Sequence, residues 1–354
     1  MERILAINPG ATSTKCAVFD GEQLVFKKTI EHSPDELKHY LTVFDQYEYR
    51  LKLVHDTLEE AKVPLDSLDA VVGRGGLLKP LKGGTYSVNE LMVEDMKKAA
   101  QGEHASNLGP VLAYNFGREL AIPAFIVDPV SVDEMEAVAR ISGSPELPRV
   151  SMCHTLNTKA VARKVAKDLG KRYEDLNLVV THLGTGISVS PHRKGQMIDV
   201  NNAKEEGPFS PDRSGGLPTM ALVKLCYSSK YTEKELVGKL MSKGGVYAYL
   251  GTTDLRAVEK MAAEGNQQAE IILQAMAYQI AKEIGAMATT LAGEVDYIIL
   301  TGGMAHSQRL VEEITRRVKF IAPVTVVPGE EEMEALAGGA LRVLRNEEKA
   351  QEYK

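Results

Sequence analysis

The chain has little cysteine and no long apolar run, and both absences narrow its class. Cys16, Cys153 and Cys226 are far apart and form no C-x-x-C pair, so nothing indicates a disulfide framework. Residues Met1-Glu2-Arg3 do not begin a signal peptide, and no apolar stretch is long enough to span a membrane. We therefore expect a cytoplasmic protein with reduced thiols and no membrane partner.

The sequence also lacks an excess of positive charge and several familiar catalytic motifs. Its formal net charge is −6, which argues against broad binding of nucleic acid or of anionic membranes. No H-E-x-x-H, EF-hand or G-x-S-x-G pattern is present, so those metal and hydrolase sites are not expected. With 354 residues, the chain exceeds the usual size of a single core, and two domains are expected.

Two short turns rich in small residues, each between two apolar runs, are the most informative motifs. The first is Asn8-Pro9-Gly10-Ala11-Thr12-Ser13-Thr14-Lys15, and the second is His182-Leu183-Gly184-Thr185-Gly186. Exposed backbone N–H groups and hydroxyls in such turns suit a phosphate, because glycine lets the main chain approach closely. A P-loop or a dinucleotide-binding turn leads from a strand into a helix. Both turns here join two predicted strands, so neither of those motifs applies.

A second pair of matching motifs follows the two turns. Each is an apolar run led by an acid and ended by two glycines: Leu68–Gly76 and Val295–Gly303. Such runs are typical of buried parallel strands that end beside a ligand. Matching features in matching order predict two similar α/β halves that face each other across a cleft. The alternative is a chance coincidence, because glycine-rich turns after strands are common.

Helical periodicity and capping signals predict the remaining elements. Ser33-Pro34-Asp35-Glu36 is typical of a helix start and predicts one long or two shorter helices up to Ala61. Other predicted elements are helices over 89–100, 108–120, 267–291, 307–319 and 333–344, a helix beginning near Thr155 and a strand over 122–127. The break at 143–148 predicts a domain crossover near residue 150. The expected domains are 1–150 plus 336–354, and 151–335.

Polar side chains at the ends of the predicted strands are the first candidates for chemistry. Arg74 lies among glycines at a strand end, where open α/β sheets bind ligands, and its guanidinium matches carboxylate or phosphate oxygens. The structural alternative is a surface arginine in a turn. Asp128 also follows a predicted strand and either orients a catalytic group or caps a turn.

The second half of the chain contributes two histidines and an arginine as candidates. His154 lies where an apolar run meets a helix start, a position that favours a functional role over the structural role usual for a lone histidine. His182 opens the second turn, so it could contact a phosphoryl group. Arg213 lies in a loop with prolines and a glycine pair, which suits a clamp on a transferred phosphoryl group. A salt bridge to Asp212 is the structural alternative for Arg213.

Taken in the order in which they occur along the chain, these motifs resemble those of acetate and butyrate kinases. The resemblance is closest to the butyrate enzymes. The segments that carry the resemblance are 8–15, 73–77, 154–157, 182–186, 212–215 and 301–303. The resemblance covers essentially the whole chain. It implies an α/β protein with two ribonuclease-H-like domains of duplicated topology and a central active-site cleft. Sugar kinases, actin and heat-shock chaperone ATPases belong to the same superfamily.

The resemblance also implies roles for individual residues. Catalytic roles would fall to Arg74, Asp128, His154 and Arg213, and the two arginines would grip the acyl carboxylate and the phosphoryl group. The nucleotide would contact Thr12, Ser13, Lys15, His182, Gly184, Thr185, Gly186, Gly302, Gly303 and Met304. Mg²⁺ would be held by Asn8 and Glu331, with Glu330 or Glu332 as alternatives to Glu331. His104 and Asn107 are similar to a family segment near the acyl pocket.

The activity implied is reversible transfer of a phosphoryl group from ATP to a short-chain fatty acid, giving ADP and an acyl phosphate. Two positions depart from the acetate kinase pattern: Leu77 and Thr158 stand where the acetate enzymes have histidine. We expect a larger, more apolar pocket for a four-carbon chain, with isobutyrate, valerate or propionate as alternatives. A nucleotide-dependent switch without kinase activity is a further alternative. The family resemblance suggests a homo-oligomer, either a dimer or a larger even assembly.

Overall fold

The computed structural model describes residues 1 to 354 and divides the chain into two compact units. Unit 1 consists of Met1–Asp133 and Glu331–Lys354, and unit 2 consists of Glu134–Glu330. The chain therefore enters unit 2 earlier than the predicted residue 150, and it returns to unit 1 at Glu331 rather than at residue 336.

Residues 134–150 belong to unit 2 because polar contacts attach them to it. The Glu134 carboxylate lies 2.8 Å from Lys159 Nζ, and both side chains are almost completely buried. Further along, the Arg149 guanidinium lies 2.9 Å from the Asp199 carboxylate. These partners are distant in sequence, so no local pattern predicts the contacts. The only local signal for a domain boundary was the proline-containing break at 143–148.

The elements follow in chain order. The first part of unit 1 contains β1 (Arg3–Pro9), β2 (Ser13–Asp20), β3 (Gln23–Glu31), α1 (Pro34–Leu37), α2 (Tyr47–Glu60), β4 (Ala70–Arg74), β5 (Thr85–Ser87), α3 (Glu90–Lys98), α4 (Leu108–Leu120) and β6 (Ala124–Val127). Unit 2 contains α5 (Thr155–Asp168), β7 (Asn177–Leu183), β8 (Ile187–Arg193), β9 (Gln196–Met197), α6 (Thr219–Cys226), α7 (Glu233–Met241), α8 (Gly245–Leu250), α9 (Leu255–Ala263), α10 (Gln267–Thr290), β10 (Tyr297–Gly302), α11 (Gln308–Val318) and β11 (Val324–Pro328). The last segment of unit 1 contains α12 (Glu332–Leu344) and β12 (Gln351–Glu352).

The two sheets share a five-stranded core of the same topology, which confirms the predicted duplication. The sheet of unit 1 has the order β12-β5-β6-β4-β1-β2-β3, and that of unit 2 has the order β11-β10-β7-β8-β9. In each unit, three strands form an antiparallel meander: β1-β2-β3 and β7-β8-β9. Two further strands pair in parallel beside the first strand of that meander: β4 and β6 in unit 1, and β10 and β11 in unit 2. Strands β5 and β12 extend the sheet of unit 1 alone.

Each sheet is buried between helices, as its apolar strands predict. In β7, Val179 and Leu183 belong to the core formed with α10. Leu178 and Val180 point to the other face and belong to the core formed with α5. This alternation gives β7 two buried faces, and its end then opens into the second turn. No helix in the structure is both long and apolar enough to cross a membrane.

Candidate active site

The first predicted turn joins β1 to β2, as the sequence indicates. Strand β1 ends at Pro9 and β2 begins at Ser13, while the Gly10 N–H donates to the Ser13 carbonyl at 2.7 Å. Ala11 and Thr12 are exposed at the tip of the turn. Lys15 pairs with Asn8 across the hairpin. Thr12, Ser13 and Lys15 thus lie in or beside one turn with an exposed backbone, which is the arrangement expected of a phosphate contact.

Asn8, Arg74 and an acidic residue of α12 form a polar cluster in unit 1. The Nδ2 of Asn8 donates to Glu332 Oε2 at 2.7 Å, and Arg74 Nη1 lies 2.8 Å from Glu332 Oε1. A longer bond of 3.4 Å joins Arg74 Nη1 to Asn8 Oδ1. The acid beside Asn8 is therefore Glu332, whereas Glu331 is the exposed residue that precedes α12.

Glycine lets α4 approach the strand that carries Arg74. A Cβ on Gly73 would overlap the carbonyl oxygen of Gly109, and a Cβ on Gly76 would lie 2.6 Å from the Asn107 Cα. Asn107 Oδ1 also accepts the Leu77 N–H at 2.8 Å. These contacts fix the segment on either side of Arg74, so the glycines noted in the sequence have a packing role.

Asp128 has a definite structural partner in addition to any catalytic role. It follows β6 with a φ of 38° and is 1% exposed. Its Oδ1 accepts the Gly84 N–H at 2.7 Å, and the Gly84 carbonyl accepts the Asp128 N–H at 3.0 Å. Asp128 therefore closes the connection that leads into β5, and the strand that precedes it pairs with the end of β4 at Arg74.

The two candidate histidines of unit 2 are stacked on each other. The His154 and His182 rings are nearly parallel, with centroids 3.9 Å apart and an interplanar angle of 13°. His154 Nδ1 lies 2.9 Å from Ser188 Oγ. His182 is 1% exposed; its Nδ1 lies 3.0 Å from Asn157 Oδ1 and its Nε2 lies 3.1 Å from Glu330 Oε1. Polar partners therefore fix the orientation of both rings.

Arg213 lies against the second turn and against His154. A Cβ on Gly186 would lie 2.5 Å from Arg213 Nη1 and 3.4 Å from His154 Cε1, so only glycine admits both side chains. Arg213 Nη1 donates to the Ala203 carbonyl at 3.1 Å. Its Nε is buried and has no hydrogen-bond partner. Arg213 forms no salt bridge with Asp212, whose Oδ1 accepts from Ser210 Oγ at 3.4 Å.

The remaining residues of the second turn and the glycine pair lie at neighbouring strand ends. The Thr185 carbonyl accepts the Ser210 hydroxyl, which connects the turn to the loop of Arg213. A Cβ on Gly184 would lie 2.8 Å from His182 Nε2. Gly302 has a φ of 89°, and its Cβ position faces the Leu183 backbone at 2.5 Å, whereas Gly303 has open space around it. Met304 packs against the core of unit 2.

Solved structures of two kinases share this duplicated fold. Acetate kinase from Porphyromonas gingivalis matches with a TM-score of 0.78 and 18% identity, over 97% of this chain and 100% of that one. A propionate kinase from Francisella tularensis matches with a TM-score of 0.72 and 17% identity, over 96% of this chain and 99% of that one. These likenesses define the class as the two-domain α/β fold of the small-acid kinases.

The sequence comparisons then give the family. The model of the acetokinase family matches residues 149–329. Butyrate kinase 1 from Clostridium acetobutylicum is 54% identical over 355 aligned residues, which cover 100% of both chains. The chain belongs to the acetokinase family, and the resemblance inferred from its motifs is confirmed.

Several residues of the site were not singled out from the sequence. Ser188 and Asn157 contact the two histidines. Asn157 ends the marked segment 154–157, and Ser188 lies two residues after the marked segment 182–186. Arg50 contacts Gly10 and Thr14 of the first turn, which lie 40 and 36 residues before it in the sequence. One local signal existed for Arg50: it shares a buried helical stripe with Val54 and Leu58, where a charged residue is unusual.

Proposed function

We propose that this chain is a butyrate kinase, which transfers the γ-phosphoryl group of ATP to the carboxylate of butyrate and releases ADP. Its membership of the acetokinase family and the 54% identity to a butyrate kinase over the full chain support this activity. Propionate, isobutyrate and valerate are the alternative acids.

The half-buried side chain of Arg213 gives the structural observation that most supports phosphoryl transfer. Its Nε has no partner in the protein although it is buried, and an unsatisfied buried donor costs about 1–3 kcal/mol. An oxygen of a phosphoryl group bound beside Gly186 would satisfy that donor. His154, which adjoins the same glycine, would donate to the phosphoryl group as its charge redistributes.

The reaction requires charge stabilisation and positioning more than proton transfer. The butyrate carboxylate is already an anion, so its oxygen can attack the γ-phosphorus while the bond to the ADP oxygen breaks, and no general base is needed. We propose that Arg74 holds the carboxylate, that Arg213 and His154 bind the phosphoryl group, and that Asp128 maintains the segment beside Arg74. The two turns and Gly302–Met304 would bind the phosphates and the adenosine.

The polar cluster of unit 1 fits Mg²⁺, because this ion prefers oxygen ligands. Asn8 Oδ1 and the Glu332 carboxylate would hold it, directly or through water, and Glu331 is the alternative acid. A bound Mg²⁺ would neutralise part of the charge on the ATP phosphates. Glu332 also pairs with Arg74. It therefore connects Arg74, which would hold butyrate, with the ligands that would hold Mg²⁺.

Trapping the acyl phosphate with hydroxylamine tests the proposed function. With ATP, Mg²⁺ and butyrate, we expect butyryl hydroxamate and ADP to form in equal amounts, and neither product without the protein. Slow ADP formation at the same rate with and without butyrate would favour a nucleotide-dependent switch instead. The absence of hydroxamate with every short acid would reject an acyl-phosphate-forming kinase.

We include a homo-oligomer and a cytoplasmic location in the proposal. Helix α6 has no buried residue although it is largely apolar, and its Met220 side chain is 71% exposed; a second copy of the chain would cover such a face. A solution mass equal to one chain would reject the oligomer. Cys16 and Cys153 are buried free thiols, which suits a reducing compartment.

A further inference from the structure

Beneath the first turn of unit 1 lies a buried arginine with no acidic partner. Arg50, on α2, is only 1% exposed. Its guanidinium donates to Gln46 Oε1 at 2.8 Å and to Thr14 Oγ1 at 3.1 Å, and no carboxylate contacts it. Burying an unpaired cation is costly, so a protein that keeps one at this position gains something from its charge.

The same guanidinium gathers the carbonyl groups of the turn. Arg50 Nη1 donates to the carbonyls of Gly10 at 2.8 Å and Ser13 at 3.2 Å, and Nη2 donates to that of Ala11 at 3.4 Å. In a trans peptide, the C=O of one residue and the N–H of the next point in opposite directions. Holding the Gly10 and Ala11 carbonyls inward therefore turns the N–H groups of Ala11 and Thr12 outward, at the exposed tip of the turn.

The neighbouring His32 is neutral at neutral pH, so Arg50 is the only cation in this buried network. Thr14 Oγ1 accepts from Arg50 and also lies 2.8 Å from His32 Nε2. Burial and the nearby charge of Arg50 lower the pKa of His32 to about 4. Burial also lowers the pKa of Arg50 to about 10, which still leaves it charged at neutral pH.

We propose that Arg50 is a positioning residue that shapes the first turn into a binding site for the γ-phosphoryl group of ATP. It directs two N–H groups outward and places an uncompensated positive charge behind them, as in the backbone nests that bind anions. The choice of the γ-phosphoryl group rests on the proposed function. Asn8 begins this turn and contacts Arg74, so the group in the turn would be the one that reaches the carboxylate.

Nucleotide binding to matched variants tests this role without relying on turnover. Calorimetry would measure the affinities of Mg·ADP and of Mg·AMP-PNP, a non-hydrolysable ATP analogue that retains a γ-phosphoryl group. We expect Arg50→Met to weaken AMP-PNP binding about ten-fold or more, because the N–H groups of the turn would lose both their fixed orientation and the positive charge behind them. We expect ADP binding to change less than about two-fold. Arg118→Met is the control, because Arg118 is an exposed arginine of α4 in the same unit.

Arg50→Lys keeps the proposal testable if the methionine variant fails to fold. Lysine keeps the charge but cannot donate from a planar fork, so we expect a smaller loss, still confined to AMP-PNP. An equal loss for both nucleotides, or no loss for either in a folded variant, would overturn the role of Arg50. A wild-type protein that binds both nucleotides but makes no butyryl phosphate would reject the proposed function, and the comparison of the variants would still test Arg50.

Discussion

At the residue scale, the cations of the candidate site are held mainly by neutral acceptors. Arg213 donates to a carbonyl, and Arg50 donates to carbonyls, a hydroxyl and an amide oxygen. Arg74 differs, because it pairs with Glu332. A cation without an acidic partner retains more of its electrostatic attraction for an incoming polyanion. Arg213 is therefore available to bind phosphate, whereas the buried Arg50 can act on a phosphate only through the first turn.

We expect Arg213→Ala to lower kcat by more than about 100-fold, because donors to the transferred phosphoryl group would be lost. Arg256→Ala is a suitable control in the same unit, because the Arg256 side chain is 90% exposed and pairs with Asp254. The measurement is steady-state butyrate phosphorylation, with circular dichroism to confirm the fold. A kcat close to that of the control would remove Arg213 from the mechanism.

Because of His32, the free energy of unfolding should decrease as the pH falls. Its pKa is about 4 in the folded protein, compared with 6.5 for a free histidine, so the unfolded chain takes up the proton first as the pH falls. The stability contributed by neutral His32 is therefore complete above pH 6.5 and is lost between pH 6.5 and 4. Between pH 7.5 and 5, we expect wild type to lose about 2 kcal/mol more unfolding free energy than His32→Gln. Urea titrations with parallel pH dependences would contradict this.

At the element scale, glycine sets how closely the helices of unit 1 approach its sheet. Gly73 and Gly109 let the start of α4 contact β4 backbone to backbone. Gly339 does the same for α12, because a Cβ there would overlap the side chain of Val127 on β6. Helix α12 carries Glu332 in its first turn. The position of this acid beside Asn8 therefore depends on the packing of the whole helix.

Adjacent glycines in α12 provide a matched pair of substitutions. Gly339→Ala should destabilise the protein by about 1–3 kcal/mol, since a buried overlap must be relieved. Gly338→Ala should be neutral or stabilising by up to about 1 kcal/mol, because its Cβ would meet only the end of Arg342 at 3.9 Å and alanine favours the helix. Chemical denaturation of both variants measures the difference. Equal effects would mean that α12 does not pack against β6 this closely.

The sequence predicted those elements whose own residues carry a periodic or capped pattern. The predicted helix over 108–120 is α4, and the predicted helix over 267–291 is α10 with one residue fewer at its end. Helix α6 was not predicted, because an apolar helix without a buried face shows no amphipathic period. Strand β12 has only two residues and exists through its pairing with β5, which no local pattern reveals.

In the candidate site too, the sequence predicted the residues that belong to a local motif but not the contacts between distant segments. The sequence singled out Arg74, His182 and Arg213 because each lies at a strand end or in a glycine-rich turn, and His154 because an apolar run meets a helix start there. The contact between Asn8 and Glu332 joins residues at opposite ends of the chain. Within a run of three glutamates, only the helix start determines which carboxylate faces Asn8. The family resemblance therefore favoured Glu331 but left Glu330 and Glu332 as alternatives.

At the scale of the whole molecule, the proposed preference for a four-carbon acid is the property that separates this chain from an acetate kinase. Leu77 is half-buried, stands where the acetate enzymes have histidine, and has its backbone fixed by Asn107. Each additional buried methylene contributes about 0.8 kcal/mol, so the two in butyrate should favour it over acetate by about ten-fold or more in kcat/KM. We expect Leu77→His to narrow this ratio, while comparable kcat/KM values for both acids in the wild type would reject the preference.

Attack of the acid's carboxylate on the phosphoryl group that ATP supplies is the central claim, and isotope transfer tests it most directly. If the carboxylate attacks the γ-phosphorus, butyrate labelled with ¹⁸O in both oxygens must place one ¹⁸O in the bridge between carbon and phosphorus of butyryl phosphate. We expect its ³¹P resonance to carry the upfield isotope shift of a single bridging ¹⁸O. Butyryl phosphate without that shift, or labelled butyrate left unchanged while inorganic phosphate accumulates, would contradict the account.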